Sequence, residues 1–207
     1  MIRLTELQLD ALGEGFNIAL GRAAATFSEL VREPVHISVP CIELLSTSAM
    51  RERISALYSA SGKSDLCGIH QSFTAEGNLR TDTMLVFTKS DSLDIIRQML
   101  GGEMSIADFT ELEQDALAEI GNIMTNSCMS TFADLFNISM TGSLPRIMIN
   151  DQFSLVPDGR GYDTVLLAQI SLSLTSRDTR GLVLFLMDGP TIRSFVNNVD
   201  SVLGVLC

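Results

Sequence analysis

Two sets of polar residues share one spacing in this chain. Asp10, Glu14 and Asn17 form the first, and Asp115, Glu119 and Asn122 the second. A carboxylate can hold a cation, and a neutral carboxamide can orient a water. Both copies lie in helical sequence, where each residue advances about 100°, so positions i, i+4 and i+7 fall within roughly 60° of one another. Each set is therefore one polar stripe. The opposite side of the first helix carries Leu9, Leu12, Phe16, Leu20, Phe27 and Leu30. That of the second carries Leu117, Cys128, Phe132, Leu135 and Phe136. This is the pattern of a helix lying on a core with its other face in water.

Each stripe follows a matching tripeptide, Thr5-Glu6-Leu7 or Thr110-Glu111-Leu112, and precedes a proline, Pro40 or Pro145. Asp, Glu, Asn and Pro recur at one offset, which marks two copies of one unit. Thr5 with Gln8 and Thr110 with Glu113 have capping-box spacing. A single stripe is read most simply as a solvated helix face, because charged residues mostly face water. The duplication weighs against that reading. Elsewhere the halves have drifted: Gly15-Phe16 stands opposite Ile120-Gly121, and Arg22-Ala23-Ala24 opposite Ser127-Cys128-Met129. A merely solvated face should have drifted too. Asn is also a weak helix former that offers an exposed helix nothing Lys or Gln would not.

D-x3-E-x2-N followed by a proline, present twice, resembles the CheC/CheX/FliY family of chemotaxis phosphatases along the whole chain. Glu119-Ile-Gly-Asn122-Ile matches the family wording, and Gly15-Phe16 departs from it. The two-site pattern is that of the family's CheC form. CheX carries one site and pairs chains, and FliY adds a flagellar-switch domain for which this chain has no room. The resemblance implies hydrolysis of the phospho-aspartate of a CheY-like response regulator. Glu14 and Glu119 would pair with the regulator's lysine, while Asn17 and Asn122 would orient the attacking water. Asp10, Asp115, Pro40 and Pro145 would support the motif. The regulator would bring Mg²⁺, so the chain needs no metal or cofactor of its own. Such a division suits phosphoryl transfer, whose loose transition state depends more on positioning than on covalent help. A neutral amide adds no negative charge beside a phosphate, and the carboxylate is engaged by the lysine. CheD is a second partner in the family. The alternative is a non-catalytic binding or scaffold module for CheY or CheD, as in flagellar-switch relatives.

Composition narrows the class further. The chain has 207 residues and a net charge of −11, which argues against a nucleic-acid footprint. No apolar run approaches the about twenty residues of a membrane span. Met1-Ile-Arg-Leu-Thr-Glu6 meets charge too early for a signal peptide. A cytoplasmic, monomeric protein is expected. Cys41, Cys67, Cys128 and Cys207 lack C-x-x-C spacing and read as free thiols in a reducing compartment. His36 and His70 read as solvent-facing strand residues, far apart and without a catalytic partner. Gly62-Lys63-Ser64 lacks the first glycine of a phosphate loop, and Asp151 to Asp163 lacks calcium-loop spacing. The ten Met residues read as core filler.

The punctuation predicts a helix from Thr5 to Arg32, a strand from Val35 into Pro40, and a helix from Ser46 to Ala60. A hairpin over Leu66–Phe73 and Leu79–Thr88 follows, then a helix from Asp91 to Leu100. Gly101-Gly102 ends that helix and divides the repeats, 1–102 and 103–207. The second half predicts a helix over Glu111–Asn137, a strand over Leu144–Ile149 and a loop over Asp151–Gly161. Next come a hairpin over Thr164–Leu174 and Gly181–Met187 around Ser176–Thr179, and a last helix from Pro190 to Val202. Each half is thus helix, strand, hairpin, helix. Three strands make a thin sheet alone. The expected fold is α/β (α+β): two pseudo-twofold-related repeats sharing one antiparallel-rich sheet in a single domain, with two long helices on it and their polar stripes outward.

Overall fold

The computed structural model describes residues 3–59, 66–76, 79–100, 110–149, 162, 164–174 and 177–206. Their order is α1 (Glu6–Val31), β1 (His36–Ser46), α2 (Thr47–Ser59), β2 (Leu66–Ala75), β3 (Leu79–Thr88) and α3 (Lys89–Leu100). Then follow α4 (Glu111–Phe136), β4 (Met140–Gly142), β5 (Arg146–Ile149), β6 (Thr164–Leu174), β7 (Arg177–Met187) and α5 (Gly189–Leu206). The strands form one sheet in the order β1-β6-β7-β3-β2-β4, with β5 also on β2. All the strand pairs are antiparallel.

Local chemistry sets the two long helices. At each N-terminus the threonine hydroxyl accepts from the N3 amide, and the N3 side chain accepts from the threonine amide. Two otherwise unpartnered donors are satisfied this way at each end. Both helices are 26 residues long and stop at a left-handed residue, Arg32 at φ 57° and Asn137 at φ 52°. Pro34 follows the first stop, and a residue before proline disfavours helix.

The two prolines sit at matching irregularities. Between Ser38↔Ser171 and Cys41↔Gln169, β1 advances three residues while β6 advances two. Between Gly142↔Phe73 and Arg146↔His70, the β4–β5 segment advances four while β2 advances three. Each carries one surplus residue beside its proline, as at a bulge, where a missing N–H costs the ladder nothing. The predicted strand before Pro40 therefore continues through it to Ser46. Strand β4 was not predicted; it is the short first part of the segment that Pro145 interrupts. Strand β7 begins at Arg177, four residues before the predicted Gly181, because the Leu174↔Arg177 pair closes the hairpin more tightly. Residues 175 and 176, and the expected loop over 151–161, lie outside the described residues.

The sheet buries both faces. One carries α1, α3, α4 and α5 over a core that includes Phe16, Phe27, Ile69, Phe87, Leu117, Phe132 and Phe185. The other carries α2 over Met50, Ile54, Tyr58, Met84, Leu167 and Leu184. Alternation along each strand divides the two sets. Leu12, Phe16, Leu20, Phe27, Leu117, Cys128 and Phe132 are buried as the helical spacing required. Leu30 and Leu135 are not, at 37% and 40% exposed. Leu135 lies beside Gly15 of the neighbouring helix with its other side open.

His36 faces solvent as expected, and His70 does not. Strand β2 is interior, so His70 is half-buried on the α2 side of the sheet, with its Nε2 3.4 Å from Asp82 Oδ1. Asp82 also takes Ser72 and Arg80 as partners. Burial alone would raise its pKa, but the His70 and Ser72 hydrogen bonds and the Arg80 charge together hold it below the ordinary value.

Candidate functional site

The helical stripes reach the surface. Asp10, Glu14 and Asn17 on α1 are exposed, as are Asp115 and Glu119 on α4; Asn122 is half-buried. Among the described residues none of the four carboxylates has an ion-pair partner, so each is open to a cation from outside. An exposed leucine, Leu7 or Leu112, stands two turns before each glutamate on the same side of the helix. Nearby, Arg22 of α1 and Asp134 of α4 lie 3.6 Å apart in an exposed pair that ties the helices together weakly. The stripes lie on separate helices, so each Glu/Asn pair is a candidate site of its own.

Packing beneath the stripes differs. In α4, a Cβ at Gly121 would lie 2.3 Å from Ile69 Cγ2 and 2.9 Å from Ile69 Cβ. Only glycine allows that approach, which sets Asn122 directly over β2. In α1, the equivalent of Gly121 is Phe16, which is wholly buried, 4.9 Å from Phe132 and 5.3 Å from Phe185 between ring centroids. The sheet compensates. Matching registers place Ala168 on β6 where β2 has Ile69.

The second site has a polar support absent from the sequence reading. Asn122 Oδ1 accepts from Gln71 Nε2 at 3.3 Å and from Asn126 Nδ2 at 2.6 Å. Gln71 Nε2 also donates to the Ser143 carbonyl at 2.7 Å, and Thr125 Oγ1 contacts Gln71 Oε1. Ser143 is clamped to β2: its amide donates to Ser72 O at 2.8 Å, and its hydroxyl accepts from Ser72 N at 3.1 Å. Pro145 stands two residues farther on, so the motif proline borders this support. A signal for Gln71 exists in the sequence. It alternates with Cys67, Ile69 and Phe73 and so points to the apolar face, where a polar residue needs partners. Asn126 follows Asn122 by one helical turn. A shallow groove beside Asn122 is lined by Thr26, Asn126, Ser130, Met140 and Gly142.

The first site has no such support. By the same registers Ile170 stands for Gln71 and Gly21 for Asn126. Asn17 has no hydrogen-bond partner among the described residues. Pro40 lies on the edge strand β1, the neighbour of α1 in the sheet.

Among the described residues no group of three or more His, Cys, Asp or Glu could hold a metal ion. No helix among them is long and apolar enough to cross a membrane.

Comparison with known proteins gives concordant results. Residues 112–149 match the model of the CheC-like family, a span that holds Asp115, Glu119, Asn122 and Pro145. The flagellar motor switch phosphatase FliY of Bacillus subtilis is 28% identical over 173 residues, covering 83% of this chain and 43% of that protein. The CheY-P phosphatase CheC of the same organism is 25% identical over 159 residues, covering 75% of this chain and 73% of that one. This chain thus spans less than half the length of the FliY relative. The crystal structure of Thermotoga maritima FliY superposes with a TM-score of 0.72 at 21% identity, covering 97% of this chain and 99% of that one, which shows a shared fold. Fold, motif and matched span agree in their likeness to the CheC/FliY family.

Proposed function

We propose that this chain hydrolyses the phospho-aspartate of a CheY-like response regulator at two sites, Glu14 with Asn17 and Glu119 with Asn122. The observation that carries the reading is the pair of exposed glutamates, unpartnered among the described residues, each on a capped, sheet-backed helix one turn from its asparagine. A rigid helix can enter a shallow active site and present both side chains together. Glu14 or Glu119 takes the regulator's lysine. Asn17 or Asn122 holds water in line with phosphorus, a step in which positioning dominates. Mg²⁺ enters with the regulator, and the chain supplies no cofactor. Asp10 and Asp115 belong to the same stripes. The names of the relatives, both phosphatases, support this chemistry.

The proposal includes two repeats, 1–102 and 103–207, in one domain. The support is register. Each half's first strand pairs with the other half's hairpin, and β3 meets β7 at the centre. A repeat that supplies its own twofold partner gives a monomer. The cytoplasm is the compartment where response regulators act. CheD is a second partner by family likeness alone, and nucleic acid is not a partner.

The test adds catalytic amounts of the chain to a panel of Mg²⁺-loaded, phosphorylated regulators from the same organism and follows loss of phosphate. Faster dephosphorylation of one regulator is the expected result. Stoichiometric binding without faster loss would establish the scaffold reading instead.

A further inference from the structure

We infer that Gln71 is the positioning residue of the second site, fixing the Asn122 carboxamide so that its NH2 group, and not its oxygen, is presented to a bound partner. The inference rests on the phosphatase reading for its kinetic consequence, though not for its geometry.

The orientation follows from one backbone atom. The Ser143 carbonyl can only accept, so the Gln71 atom 2.7 Å from it is the amide nitrogen. Gln71 Oε1 then faces the Thr125 hydroxyl, whose single proton is shared between it and the Gly121 carbonyl at 2.7 Å. With Nε2 fixed, the Asn122 atom 3.3 Å away must be an acceptor, which is Oδ1. Asn126 Nδ2 fills the second lone pair of that oxygen at 2.6 Å. Gln71 Nε2 thereby has an acceptor for each of its two hydrogens, and Asn122 Oδ1 a donor for each lone pair. A flip of the Asn122 amide would set its nitrogen against the anchored Gln71 nitrogen. Gln71 is 2% exposed, so the anchoring end of this network is shielded from competing water, while Asn122 and Asn126 are half-buried.

The outward NH2 can donate to the oxygen of an attacking water, which keeps a second lone pair for phosphorus, or to a phosphoryl oxygen. It offers no acceptor. Asn17, lacking both partners, remains free to turn either way. One site is thus preorganised and the other must be ordered by its substrate.

The experiment is done in the Asn17→Ala background, where only the second site can work. Gln71→Leu is added there; the equivalent position already holds buried Ile170, so this layer of the core accepts an aliphatic side chain. A kcat lower by about 10-fold or more, with KM nearly unchanged, is expected from a mispositioned amide. Side-chain ¹⁵N relaxation of the Asn122 amide should change from a rigid to a mobile signature. Thr83→Val removes a hydroxyl 3.0 Å from the Gln71 backbone carbonyl and is the control for simple loosening of β2. It should lower stability and leave kcat and the amide signature in place. A folded Gln71→Leu protein with unchanged kcat and a rigid Asn122 amide overturns the inference. So does Thr83→Val reproducing both effects. If the unsubstituted chain hydrolyses no phospho-regulator, the phosphatase reading fails on its own. The Asn122 amide relaxation then decides the positioning role alone.

Discussion

Helix α1 and helix α4 have the same length, the same cap and the same stripe, yet they rest on the sheet by opposite solutions. In α4 the helix is small and the sheet is large, Gly121 against Ile69. In α1 the register-equivalent pair is Phe16 and Ala168, large on the helix and small on the sheet. Close packing demands that the sum be kept, and it leaves free which partner supplies the volume. The consequence falls on the two asparagines. Close approach in α4 puts Asn122 within reach of Gln71 on β2. In α1 a phenylalanine fills that layer, and Asn17 has no carboxamide beneath it. The same motif therefore stands on a preorganised base in one half and on a bare one in the other.

The largest effect expected concerns both sites together. Asn17→Ala with Asn122→Ala should lower kcat by about 10²-fold or more, the scale for losing an oriented donor or water. Each single variant should keep substantial turnover, since the sites lie on separate helices. Steady-state phosphate release checks this, and Asn122→Ala should cost more than Asn17→Ala. Equal losses would break the contrast between the sites. Glu14→Ala with Glu119→Ala should raise KM before it lowers kcat, because a lysine contact exists before the chemical step.

A smaller effect tests the packing. Ala gains about 1 kcal/mol over Gly in helix propensity. At Gly121 its Cβ meets the branched, stiff Ile69 at 2.3 Å, and the clash wins. Gly121→Ala should lose about 1–3 kcal/mol by urea denaturation. At Gly15 the nearest atom is the Phe132 ring edge at 3.1 Å, so Gly15→Ala should stay within about 1 kcal/mol of the parent.

Asp82 separates the halves on the other face of the sheet, since its register equivalent is Arg180. Its carboxyl is held below the ordinary pKa, so its stabilisation is present at neutral pH. It is lost as pH falls below the usual aspartate value of about 3.9 and through the lower folded value. Asp82→Asn should therefore be less stable by about 2 kcal/mol at pH 7, with the gap closing in acid. Denaturation curves at pH 7 and below pH ~4 measure it.

The smallest expected signal is chemical. Burial pushes the Cys67 and Cys128 thiols up to about 12, so both should stay silent to a thiolate-directed reagent at pH 8 until the protein unfolds.

The sequence by itself determined the helices, the stripes and most of the strand order within each half. Capping boxes, a 3.6-residue period and proline punctuation act over a few residues, so they can be read locally. It also placed Asp10, Glu14, Asn17, Asp115 and Glu119 on the outer sides of their helices; Asn122, expected there too, is half-buried against β2. Tertiary structure decided which strand of one half meets which strand of the other, because pairing depends on residues far apart in the chain. It decided that Pro40 and Pro145 fall at bulges, that β1 runs on to Ser46, and that His70 meets Asp82. Above all it decided that the sites differ. Gln71 is separated from Asn122 by 51 residues, and only the Gly121–Ile69 approach of helix to sheet makes one the support of the other.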